Sequence, residues 1–100
     1  MVLFGKTRLK HYGIDKELAK WLRNQATLSE NEKLLRFAAE QSNIGIADRL
    51  VESFTCRVSY ERLAREKGVY ISRNDFYAYR RLTMYIFWLL LTGRELDQEK

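Results

Sequence analysis

Residues 59–92 read SYERLAREKGVYISRNDFYAYRRLTMYIFWLLLT, and this stretch decides the fold. It carries two helix starts and one helix stop, with a second stop at the residue that follows it. Ser59 stands before Tyr60, Leu63 and Ala64, whose spacing of three and four places them on one face of a short helix. Gly68 ends that helix, because only a residue without a Cβ enters the left-handed conformation at no steric cost. Ser72, with Asp75 three positions on, caps a second and longer helix. That helix runs to about Thr92, where Gly93 stops it. The run Met84 to Leu91 is apolar on every side, so it is either the centre of a bundle or covered by another chain.

The same logic extends toward the N-terminus. Asp15, after Gly13 and Ile14, reads as the N-cap of a helix over 16–26 with Leu18, Trp21, Leu22 and Ala26 as its buried stripe. Ser29 and Glu32 have capping-box spacing and open a helix to about Gln41, burying Leu34, Leu35, Phe37 and Ala38. Ser42-Asn43 breaks it. Ile44, Ala47, Leu50, Val51 and Phe54 form the stripe of a third helix. The chain of 100 residues contains no proline and five scattered glycines, so nothing interrupts this pattern. The expected fold is all-α: a single domain, 1–100, forming a bundle of about five helices. Within it, 1–12 is a basic leader, 13–56 a helical scaffold, 57–92 the short helix, turn and long apolar helix, and 93–100 a polar tail.

Composition narrows the function classes. With 46% apolar residues and 13% aromatics the chain folds rather than remaining disordered. Cys56 and His11 are the sole cysteine and histidine, which excludes an internal disulfide framework and an all-N/S zinc site. No cofactor is called for. MVLFGKTRLK shows no secretory h-region, and the longest apolar run falls far short of the ~20 residues a bilayer needs. The expected setting is reducing, most simply cytoplasmic. Cys56 is expected to behave as a small buried hydrophobe. Phosphate loops, paired metal-binding histidines and nucleophile elbows are missing, and the carboxylates are patterned for a surface, so no enzyme is expected.

The net charge of +5 is unevenly placed. Residues 57–81 hold seven basic residues, Arg57, Arg62, Arg65, Lys67, Arg73, Arg80 and Arg81, against Glu61, Glu66 and Asp75, and so contain four of the five surplus charges. A basic footprint on a helix–turn–helix pattern points to double-stranded DNA. The first helix of such a pair packs across the backbone, and the second enters the major groove by its N-terminal turns. Ala64, Gly68 and Phe76 supply the small residue, the glycine and the apolar anchor the pair needs. Arg73, Asn74 and Tyr77 are then the base-contact residues, with Arg73 suited to guanine and Asn74 to adenine. Arg57, Arg62, Arg65, Lys67, Arg80 and Arg81 are the phosphate contacts. The alternative is a solvated helix face in which Arg62 and Glu66 pair locally.

This segment resembles the terminal helix–turn–helix of sigma-factor region 4 and of small phage transcription regulators. The likeness is nearest to phage late-gene activators of the ArpU and RinA type, through Ser72, Arg73, Phe76, Tyr77, Arg80, Arg81 and Leu82. It covers about a third of the chain and implies DNA binding and transcription control in a phage or mobile-element setting. One departure is plain: Gly68 is followed by Val69, Tyr70 and Ile71, a turn two residues longer than the usual one.

Two further surfaces are in play. The aromatics interleaved with arginines could stack on unpaired bases, or Phe76, Phe87 and Trp88 could be core with the tyrosines at its edge. Tyr85, Trp88 and Leu89 are the candidate surface for a two-fold homodimer reading paired half-sites, or for a protein partner such as RNA polymerase. In that second case the chain is a small helical adaptor that also uses Trp21. Lys6, Arg8, Lys10 and His11 read either as a basic arm or as a solvated leader.

Overall fold

The computed structural model describes residues 9–93, with only the backbone of Lys10, and every regular element among them is helical. A 3₁₀ turn over Leu9–Tyr12 leads into α1, Lys16–Ala26. A second 3₁₀ turn, Ser29–Asn31, precedes α2, Glu32–Asn43, and a third, Ile44–Ile46, precedes α3, Ala47–Thr55. Then come α4, Tyr60–Glu66, and the long α5, Arg73–Thr92. No helix among these residues is long and apolar enough to cross a membrane.

The caps explain most boundaries. The Asp15 carboxylate accepts the Leu18 N–H at 2.8 Å. Ser59 and Ser72 accept the N–H groups of Arg62 and Asp75, each at 3.2 Å. Gly68 and Gly93 lie in the left-handed region, at φ 83° and 70°. The capping box expected at Ser29 is not made. Ser29 is spent on its own 3₁₀ turn, and the residue before α2 is Asn31, whose side chain reaches back to the Gln25 carbonyl at 2.9 Å. α2 continues past Gln41 to Asn43, whose side chain accepts the Gly45 N–H and starts the next turn.

The core forms where α5 lies along α2, with α3 and α4 packed on that pair and α1 packed on α3. Ala38 and Ala39 on α2 are fully buried, and such short side chains let α5 approach closely. Ser42 ties the two helices by donating to the Tyr79 carbonyl at 2.9 Å. Phe76, Phe87 and Trp88 are core, as one of the two sequence readings had them. Phe76 packs on Tyr60 and Tyr77, with ring centroids 5.5 and 5.6 Å away. Tyr60 also donates to the Ile71 carbonyl at 2.6 Å, which pins the long turn to α4.

Several expected core positions face outward. Trp21, Leu34 and Phe37 are exposed because α1 turns Ala19, Leu22 and Ala26 inward and α2 turns Leu35, Ala38 and Ala39 inward. Ile44 sits on a 3₁₀ turn and is 78% exposed. Cys56, at the C-terminus of α3, is exposed rather than buried. The leader is structured from Leu9 onward. The Ile14 N–H donates to the Leu9 carbonyl, and Tyr12 stacks on Tyr85 at 4.7 Å. Lys6, Arg8 and the tail from residue 94 lie outside the described residues.

Candidate nucleic-acid interface

The N-terminal half of α5 borders two recesses that share one wall. Arg73, Asn74, Tyr77 and Arg81 line a shallow groove of about 320 Å³. Arg23, Ser53, Phe54, Arg57, Val58, Ser59, Tyr77 and Arg80 line a second recess of about 360 Å³. Tyr77 belongs to both. No carboxylate lines either recess among the described residues. The three residues predicted to read bases therefore lie together, spaced as one face of α5 requires.

Arg73 and Tyr77 are held in place within the chain. The Arg73 Nε donates to Glu61 at 2.6 Å, and its guanidinium lies 5.1 Å from the centroid of the Tyr77 ring. The Tyr77 hydroxyl accepts the Tyr60 N–H at 3.2 Å. Glu61 is held below the ordinary carboxylate range by its own backbone N–H and by the Arg73 guanidinium. Both partners of this ion pair are more than half exposed, so the pair costs little to open.

The predicted phosphate contacts divide into groups. Arg81 joins Arg73 in the groove. Arg65, exposed, stands one turn beyond Glu61 and shares its face of α4. Arg62 pairs along the helix with Glu66 at 3.2 Å, and Lys67 pairs with Glu52 of α3. Arg80 is set back rather than displayed. Its Nε donates to the Ser53 hydroxyl at 3.0 Å, and its guanidinium covers the Phe54 ring 4.1 Å from the centroid. Burial lowers its pKa to about 10, with Tyr77 opposing that shift and Arg23 reinforcing it, so it stays charged at neutral pH. Arg57, exposed at the α3–α4 connection, donates to Asn24 of α1 at 3.2 Å.

α1 lies within the stretch expected to be scaffold, 13–56, yet it extends the basic surface. A broad concavity of about 810 Å³ is lined by Lys16, Lys20, Arg23 and Arg81, together with Asp15, Glu17 and apolar residues of α1 and the preceding turn. Arg81 links this concavity to the groove, and Arg23 links it to the second recess. The signal was present: Lys16, Lys20 and Arg23 repeat at i, i+4 and i+7, a basic helical stripe.

The candidate dimer surface changes character. Trp88 is buried within its own chain, which removes it from any exposed contact patch, because α5 turns Met84, Phe87 and Trp88 toward the core. Tyr85, half-buried, is engaged by Tyr12, and Leu89 is half-buried.

Comparisons with protein-family models, with curated proteins and with solved structures found no match to this chain. Its function is therefore read from the residues and their geometry.

Proposed function

We propose that the protein is a DNA-binding transcriptional regulator in which α4, the turn over 67–72 and α5 act as a helix–turn–helix. One observation carries the reading. Five arginines, Arg23, Arg57, Arg73, Arg80 and Arg81, border two adjoining recesses that no carboxylate lines among the described residues, with Glu61 pairing Arg73 from α4. Solvated helix faces normally mix both signs, as α4 does with Arg62 and Glu66. In this proposal Arg73, Asn74 and Tyr77 face base edges. Arg65 and Arg81, with Lys16, Lys20 and Arg23 of α1, meet the flanking phosphates. Glu61 releases Arg73 as the duplex arrives, exchanging one exposed charge-assisted bond for another.

The test is selection from random duplexes followed by a salt titration of the selected site. Binding should weaken with a slope of about −0.9 per phosphate neutralised in the log–log plot. Arg73→Ala should cost about 1–3 kcal/mol and relax discrimination at one base pair, and Arg81→Ala should weaken all sequences equally. Undetectable duplex binding at low salt, or indifference to both substitutions, would overturn the proposal.

The exposed Trp21, Leu34 and Phe37 favour a second reading, an adaptor that binds a protein partner through apolar contacts. Such an interface barely responds to salt, so the same titration separates the two.

A further inference from the structure

We propose that the recess between α1, the α3–α4 connection and α5 is a phosphomonoester site, where Arg23, Arg57 and Arg80 receive a dianionic phosphoryl group. The site shares Arg23 and Tyr77 with the proposed duplex-binding surface and goes beyond that reading, because its ligand is a phosphomonoester rather than the diester backbone.

The first support is charge. Three arginines line a recess of about 360 Å³, with no carboxylate among its lining residues. Arg23 is near enough to Arg80 to disfavour its charged form. Like charges gathered without a counter-charge repel unless an anion sits between them. A phosphodiester brings one negative charge, whereas a phosphomonoester brings about 1.5 to 2 at neutral pH. Three cations suit the second.

The second support is orientation. Ser53 donates to the Leu50 carbonyl at 2.7 Å, which fixes its hydroxyl to accept the Arg80 Nε. Phe54 fixes the plane of the guanidinium from one side. Arg80 lines the recess, and with Nε given to Ser53 the two Nη groups are the pair that would meet a ligand there. Paired guanidinium N–H groups match two oxygens of one phosphoryl group.

The third support is strain. Arg57 has φ 54° and is the one non-glycine residue in the left-handed region among those described. Glycine adopts that conformation freely and arginine does not. Here the strained position follows the end of α3 and sets an arginine at the rim of the recess, tied to Asn24. Backbone strain of this kind gathers where a side chain is placed for a ligand.

Phosphomonoesters occur at the ends of nucleic-acid strands and on small phosphorylated molecules. The test is titration calorimetry with inorganic phosphate at fixed ionic strength, chloride replacing it in the control. Adenosine 5′-monophosphate, and a short duplex with 5′-phosphate or 5′-hydroxyl ends, form the further arms. Phosphate should bind above the chloride background. Arg57→Gly should lose about tenfold or more in affinity, the worth of one charged hydrogen bond, while melting no lower than the parent. Arg80→Met should lose binding as well. Arg36→Ala, which removes an equal charge at the Asp48 ion pair, should leave it unchanged. Preference for the 5′-phosphorylated duplex identifies strand ends as the source; preference for adenosine 5′-monophosphate identifies a small ligand. No phosphate response above chloride, or full affinity in Arg57→Gly, overturns the proposal. Phosphate binding without duplex binding leaves this site standing and defeats the DNA reading; the reverse result defeats this site alone.

Discussion

Glu61 is the residue on which the groove turns. It is the carboxylate that the structure sets against Arg73, and it bonds the nitrogen next to the edge that would meet guanine. Glu61→Gln removes a charge that repels a polyanion and loosens Arg73 from α4. Duplex affinity should rise a few-fold, with a steeper salt slope, measured by fluorescence anisotropy across a salt series. Acid stability follows from the same group. Glu61 and Asp48 both titrate below their ordinary values, Asp48 through its hydrogen bond from Arg36 and Glu61 through its own backbone N–H and Arg73. A carboxylate lowered on folding binds fewer protons in the native state than in the unfolded chain, so its contribution is present at neutral pH. That contribution fades as the pH falls from the ordinary carboxylate range through the lower folded values. The variant Glu61→Gln/Asp48→Asn should therefore show a shallower loss of melting temperature below about pH 5 than the parent.

At the scale of the element, α5 is two helices in one. Its first half carries Arg73, Asn74, Tyr77, Arg80 and Arg81 toward open recesses, and its second half turns Met84, Phe87 and Trp88 into the core. The division was legible in the sequence because charge and hydropathy change sharply at Leu82. The caps at Asp15, Ser59 and Ser72 and the stops at Gly68 and Gly93 were legible for the same kind of reason, a local backbone demand met by one residue type. The rotation of α2 was not. Leu34, Leu35, Phe37, Ala38 and Ala39 spread around more than half its circumference, and periodicity alone does not choose between the large residues and the small ones. Close packing on α5 chose Leu35 and the two alanines. Leu35→Ala should thus cost about 2–5 kcal/mol in denaturant unfolding. Phe37→Ser should stay within about 0.5 kcal/mol. A larger loss at Phe37 than at Leu35 would show that α2 is turned the other way.

At the scale of the whole molecule, the basic surface belongs to no single element. Arg23 comes from α1, Arg57 from the connection after α3, and Arg73, Arg80 and Arg81 from α5, so their meeting depends on α1 packing on α3. The basic residues of 57–81 are legible because they are near one another in the chain, whereas Lys20 and Arg23 are brought in by the fold. Charge along a sequence is a local density, but a polyanion meets it as a surface. That difference is measurable. Lys20 lies more than fifty positions from Arg73 along the chain, yet it lines the concavity that Arg81 connects to the groove. Lys20→Glu should lower duplex affinity for every sequence and flatten the salt slope by about one unit, the signature of one lost phosphate contact. Lys33→Glu on α2 makes the same change in net charge but borders none of the three recesses. If the footprint is a shared surface, only Lys20→Glu reduces the slope. If net charge alone attracts the polyanion, the two variants lose affinity alike, and α1 returns to the role of scaffold.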